Sequence, residues 1–241
     1  MGFDYTIWIL AFLLYVGDAA RLLSPRQLLL VEAGRGRLVP DFSEHTFTTV
    51  GRSVVFGPVL MPYRGVFVAA WSTAWRDAAG LQAALATIEE LRRPLAVIRP
   101  LVSLVFVLLF VAGPVLTWAL GSGVAVLATA ALLYPTIVVT IAALWWKRRA
   151  LRLTAARSAW LSVEMLICPA FLPNLVRKIT AVAPIEADGA QILAATAPAE
   201  VREEFLARLA VRTEALIDEA GDDDASRDQL RAYLATVQAA R

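Results

Sequence analysis

Three residue types are nearly missing from this chain of 241 residues, which has one cysteine, one histidine and only two lysines, Lys147 and Lys178, among 23 basic residues. A single Cys168 leaves no partner within the chain for a disulfide and falls short of the pair that a CxxC redox or zinc arrangement needs. The lone His45, in Glu44-His45-Thr46, would have to recruit carboxylates from distant sequence to hold a metal. It reads as a surface or turn histidine, and neither metal nor cofactor is expected. The preference for arginine over lysine reads as compositional bias rather than as a phosphate-binding device. A net charge of +2 excludes a globally basic nucleic-acid binder, so no nucleic-acid partner is expected. There is no P-loop, no GxGxxG after a strand, no HExxH and no GxSxG elbow, which removes the commonest routes to nucleotide hydrolysis and hydrolase chemistry. Internal repeats and inverted symmetry are also missing, so the chain offers no transporter framework of its own.

Apolar side chains, in contrast, are abundant. Hydrophobic residues make up 59% of the sequence, above the ~45–50% of soluble domains, and they are concentrated in blocks. Leu101 to Leu120 carries no charge and matches the ~20 residues that cross a hydrocarbon core. After Gly121-Ser122-Gly123, Val124 to Trp146 is a second uncharged run, ending on two tryptophans suited to an interface. The pair predicts a transmembrane hairpin over 99–146, with kinks at Pro114 and Pro135. Tyr5 to Val16, continued to Leu23, predicts a first span over 1–23 that stays as a signal anchor. Only Asp4 is charged ahead of it, where a cleaved signal would be basic.

Orientation follows from the basic residues. The turn at 121–123 has none, whereas Lys147, Arg148, Arg149, Arg152 and Arg157 follow the hairpin, Arg92, Arg93 and Arg99 precede it, and Arg21 and Arg26 follow the first run. Positive charge stays on the cytoplasmic side. The expectation is therefore a multi-pass protein of the bacterial inner-membrane type, N-terminus outside and C-terminus cytoplasmic. Ala159 to Val176 is hydrophobic but interrupted by Glu164, Cys168-Pro169 and Pro173-Asn174. Over 147–185 the expectation is a basic segment and a helix up to Cys168 that lies in the interface or re-enters and breaks at Pro169, rather than a fourth span.

The water-facing parts are a small β-rich module over 24–78, an interfacial amphipathic helix over 79–98 and an acidic helical hairpin over 186–241. Gln27 to Ala33 reads as a strand, Gly34-Arg35-Gly36-Arg37 as a hairpin turn rather than an anion cradle, and Leu38-Val39 as the return. Further strand-like runs are Thr46 to Val50, Ser53 to Phe56 and Gly65 to Trp71. Under fifty residues bury too little surface to stand alone, so this module is expected to rest on the membrane or another subunit through Phe56, Met61, Tyr63, Phe67 and Trp71. Leu81, Ala84, Leu85, Ile88 and Leu91 have helical spacing that Pro94 is expected to stop or redirect. In the tail, Val201, Phe205, Leu209 and Leu216 share one helical face after Pro198, and the Ser226 to Gln229 capping box starts a second helix near Arg227. Twelve acids against six arginines give 186–241 a charge of −6, which suits solvent or a basic partner.

The fold class is thus an integral membrane, mainly α-helical protein, with three transmembrane helices, a re-entrant or interfacial helix, the β-rich module and the tail hairpin. Ionisable groups at membrane depth are the candidate site. Glu164 could pair with Arg99, Arg157 or Arg177, and Asp18 with Arg21 one turn on. Arg177 and Lys178 are candidates for an anionic headgroup, and Glu164 and Cys168 are the weak catalytic candidates, the cysteine disfavoured by apolar flanks. No convergent catalytic set is present, so no enzymatic activity is assigned. The leading reading is a non-enzymatic accessory, assembly or scaffold protein whose partners are the lipid bilayer and another protein or further copies of itself. Its alternatives are a membrane-interface enzyme or lipid-handling protein using Glu164 with Arg177 and Lys178, and a subunit of an oligomeric channel or transporter.

Overall fold

The computed structural model describes residues 5–24, 26–34, 37–41, 47–49, 52–71, 78–183, 185–219 and 224–240. His45 and the Arg35-Gly36 turn lie outside the described residues. The chain is mostly helical, with a small sheet module and two apolar helices long enough to cross a membrane. It divides into two compact units. The first holds residues 1–21, 56–65 and 88–182, and the second holds 22–55, 66–87 and 183–241.

In the first unit, helix α1 (Thr6–Ala19) packs against a long helical rod and against the turn after α5 (Ala155–Ile167). The rod runs from Ala78 to Leu120 without a break in helical structure, its residues up to Thr87 belonging to the second unit: α2 (Ala78–Val107), one π-helical turn (Leu108–Ala112) and α3 (Gly113–Leu120). Pro94 therefore does not end the amphipathic helix, which continues into the apolar run. Proline has helical φ and forfeits one backbone bond, and Pro94 is buried beside Leu91 and Leu95, whose packing holds the turn. Buried positions Ala84, Ile88, Leu91, Leu95, Ile98, Val102 and Val105 alternate spacings of four and three, then step by four through Leu109, Gly113 and Thr117. The π turn inserts the extra residue that this change of spacing requires. It lies immediately before Pro114, whose ring would otherwise press on the Phe110 carbonyl.

Gly121 alone makes the turn to α4 (Ser122–Lys147). Its φ of 82° favours glycine, its N–H bonds the Thr117 carbonyl, and its own carbonyl receives the Ala125 N–H at 3.0 Å. Pro135 sits inside α4, which stays helical through it. Ala125, Thr129, Leu133, Ile137, Thr140 and Leu144 form its buried face. The end of α4 closes on Arg152 at φ 55°, with Leu153 N–H on the Arg148 carbonyl, and Arg152 bonds Glu90 at 2.6 Å.

Helix α5 is apolar on both sides. It buries Leu161 and Met165 together with Ser158 and Ser162, and exposes Trp160, Val163, Leu166 and Ile167. Both hydroxyls are satisfied, since Ser158 donates to the Thr154 carbonyl, Ser162 donates to the Ser158 carbonyl, and the Trp145 indole N–H donates to Ser162 at 3.1 Å. Cys168 ends this helix, a 3₁₀ segment (Pro169–Asn174) follows, and α6 (Leu175–Thr180) completes the unit. The segment breaks at Pro169 as its sequence predicts and forms no continuous helix of spanning length.

In the second unit, strands β1 (Ala20–Leu23), β5 (Arg52–Phe56) and β4 (Phe47–Thr49) form one sheet in the order β1-β5-β4. Strands β3 (Leu38–Asp41), β2 (Gln27–Glu32) and β6 (Val66–Ala70) form another in the order β3-β2-β6. The hairpin register pairs Val31 with Val39, and β2 also pairs antiparallel with β6. β2 reads as an uninterrupted apolar run because both its faces are covered. Leu29 and Val31 meet Leu23 and Val55, while Leu28 and its cross-strand partner Ala69 meet Gly189 at the start of α7 (Gly189–Thr196). Helices α8 (Ala199–Glu219) and α9 (Asp224–Ala239) pack on each other. The strands are thus covered in part by the tail of the same chain, a cover that their own length did not disclose. Phe67 and Trp71, expected at an interface with the membrane or another subunit, are fully buried, Trp71 lying against Tyr233. Helix α9 starts at Asp224, before the predicted Arg227, and Ser226 accepts a hydrogen bond from Arg26 at 3.0 Å instead of capping.

Candidate functional site

Four of the ionisable residues singled out in the sequence converge in the first unit. Asp18 comes from the last turn of α1, Glu164 from α5, and Arg177 and Lys178 from α6. Lys178 is the hub. Its ammonium bonds the Asp18 carboxylate at 2.8 Å and the Glu164 carboxylate on the other side, and it lies 4.9 Å from the centre of the Phe171 ring. The Asn174 amide donates to the second Asp18 oxygen and to the Tyr15 carbonyl, each at 2.9 Å.

Arg177 faces the other way around α6. It donates to Asn174 at 2.7 Å, to the Tyr15 hydroxyl at 3.2 Å and to the Pro58 carbonyl at 2.6 Å, and the Tyr15 hydroxyl donates to the Val59 carbonyl. Burial pushes the guanidinium pKa down, opposed by the adjacent Tyr15. Its Nε is buried without a hydrogen-bond partner. Both carboxylates sit on Lys178, whereas among the described residues Arg177 is held by neutral acceptors alone. A buried ion is costly unless paired and hydrogen-bonded, so of the two cations Lys178 is the better compensated.

The pairing differs from the sequence expectation in two places. Glu164 meets Lys178 rather than Arg99, Arg157 or Arg177, because adjacent residues on α6 point about 100° apart and Arg177 is turned to Tyr15 and the 57–65 loop. Asp18 meets Lys178 and Asn174 rather than Arg21, because α1 ends at Ala19 and Arg21 lies on a strand, where helical i,i+3 geometry does not exist. Arg99 stays on the α2 rod, half-buried. Tyr15, Asn174 and the Pro58 and Val59 carbonyls were missed. Asn174 offered the one signal, a polar residue between Pro173 and Leu175 in an apolar stretch.

Cys168, at the end of α5, is half-buried and helps to line a mainly apolar cavity of about 250 Å³ with Trp8, Leu14, Leu133, Tyr134 and Ile167. That lining disfavours a thiolate. No group of His, Cys, Asp and Glu suited to a metal occurs among the described residues. Compared with models of protein families, curated proteins and solved structures, the chain matches none.

Proposed function

We propose that this chain is a non-enzymatic membrane protein whose first unit sits in a lipid bilayer and whose second unit is held in the cytoplasm for a protein partner. The observation that carries the reading is where large apolar side chains face outward. All of those described as exposed, except Leu22 and Val211, belong to the first unit. A water-soluble protein rarely exposes contiguous apolar surface on that scale. The ionic cluster supports the same reading, since its cations spend their donors on Asp18, Glu164, Asn174, Tyr15 and backbone carbonyls. Headgroup capture or acid–base work by Glu164, Arg177 and Lys178 draws less support from a cluster that satisfies itself.

In this proposal α2–α3 and α4 cross the membrane as a hairpin, and α1 forms a third span, N-terminus outside. The fourteen described residues of α1 rise only about 21 Å, less than a hydrocarbon core, so this is the shortest of the three. α5 lies in the interface, and residues 24–98 and those after Lys147 face the cytoplasm of a bacterial-type inner membrane. The acidic outer faces of α8 and α9, with exposed Glu203, Glu214 and Asp218, are offered to a basic partner surface. The test is purification of the full chain in mild detergent after cross-linking in cells. A stoichiometric partner whose recovery falls when Glu203, Glu214 and Asp218 become lysine is expected, and a solitary monomer defeats the reading.

A further inference from the structure

The corner between α4 and α5 concentrates positive charge. Lys147, Arg148, Arg149, Arg152 and Arg157 occur there with no acidic residue between them. Of these, Arg152 alone is paired with a carboxylate among the described residues, that of Glu90. Lys147 lies 4.0 Å from the centre of the Trp146 ring and Arg148 lies 5.5 Å from that of Trp145, contacts that orient a cation without neutralising it. Arg149 is exposed and Arg157 half-buried, and neither has a carboxylate partner among the described residues.

Bare positive charge would suit any polyanion, and the surroundings select among them. Trp145, Trp146 and Trp160 rim the corner with 42%, 74% and 64% of their surfaces exposed. Indoles so placed are typical of the level where lipid headgroups meet acyl chains. Just beyond Arg157, α5 is apolar on its outward side too, exposing Trp160, Val163, Leu166 and Ile167 while Leu161 and Met165 are buried with the two serines behind them. A nucleic acid or an acidic peptide would meet Val163, Leu166 and Ile167 with nothing to offer them, whereas a phospholipid presents an anionic head to the arginines and chains to the apolar face. We infer that residues 147–157 form a binding site for anionic phospholipid headgroups, with the rim tryptophans and the outer face of α5 seated beside the adjoining acyl chains. The inference rests on the membrane reading above and adds to it a lipid preference at a named place.

The test is reconstitution of the full chain into nanodiscs of phosphatidylcholine containing a minor fraction of phosphatidylglycerol, followed by quantification of the lipid that stays with the protein after detergent extraction. Phosphatidylglycerol enriched several-fold over its fraction in the disc is expected. The triple variant Lys147→Gln, Arg149→Gln, Arg157→Gln loses three charges, each worth about fivefold near an anionic surface, which is enough to return phosphatidylglycerol to its fraction in the disc. The charge-preserving variant Lys147→Arg, Arg149→Lys, Arg157→Lys keeps the enrichment, which separates lost charge from lost fold. Incorporation of the wild type without enrichment overturns the inference while leaving the membrane reading intact. Retention of the lipid by the glutamine variant, or its displacement by a single-stranded oligonucleotide, overturns it as well. A chain that stays soluble without detergent and enters no disc overturns both.

Discussion

At the scale of single residues, two glycines in helices of the first unit separate packing from propensity. A Cβ on Gly113 would lie 2.5 Å from the Trp8 ring, whose indole N–H bonds Thr117 at 2.8 Å, while a Cβ on Gly17 meets nothing within 4 Å. Glycine inside a helix costs about 0.5–1 kcal/mol relative to alanine, and overpacking costs about 1–3 kcal/mol. Gly17→Ala is therefore expected to raise thermal stability in detergent slightly, and Gly113→Ala to lower it and to release Trp8, read as a change in its fluorescence. Equal shifts of the same sign would refute the tight seat assigned to Trp8. The ionic cluster gives a second contrast. Lys178→Met leaves two carboxylates facing each other and should cost about 3–5 kcal/mol. Adding Asp18→Asn and Glu164→Gln should recover much of it, because no facing carboxylates remain and Arg177 keeps its bonds to Asn174, Tyr15 and Pro58. If stability returns but the cellular phenotype does not, the cluster has a role beyond holding α1, α5 and α6 together. Glu164 was legible as an acid inside an apolar segment and Lys178 as a basic residue flanking it. Their partnership with Asp18 was not, because Asn174 and Asp18, which complete the network, lie 156 positions apart and the sign of a charge does not say which opposite charge it meets.

At the scale of elements, what was legible is what depends on near neighbours. The strand over Gln27–Glu32, its return at Leu38, the break at Pro169 and the two apolar helices follow from runs, turn residues and proline. Legibility fails where a tertiary neighbour overrides local preference. Pro94 looked like a terminator, yet the α2 rod passes through it because the stripe continuing to Val105 is buried. Ala20 to Leu23 looked like the tail of an apolar helix, yet it pairs with β5. α5 supplies the prediction at this scale. A surface substitution away from specific contacts normally changes stability by within about 0.5 kcal/mol. A lysine on the apolar side of a helix lying in the interface removes a lipid-buried valine, a burial worth about 1.5–3 kcal/mol. Val163→Lys, on the outer side of α5, should therefore weaken the protein in nanodiscs far more than Ala155→Lys at the start of the same helix. Equal, small effects would mean that the outer side of α5 faces water.

At the scale of the whole molecule, segments far apart in sequence make up each unit, so each unit depends on parts that sequence order alone would treat as independent. In the second, the strands between Leu22 and Ala70 are covered by helices that begin after Val182, with Gly189 seated on Leu28 and Ala69 and Tyr233 donating to the Asp188 side chain at 3.1 Å. Asp188 also caps α7 by accepting the Ala190 N–H. A chain truncated after Val182 keeps every residue of the first unit but strips this cover, exposing the side of Leu28, Ala69 and Trp71 that meets Gly189 and Tyr233. Such a small strand module buries too little surface to persist by itself. Hydrogen exchange should then show the amides of β2 and β6 losing protection while α4 keeps its own, and the truncated chain should still enter membranes. Retained protection in β2 would show that the strands form a self-sufficient module, and the tail would then be free to act as a separate partner-binding arm.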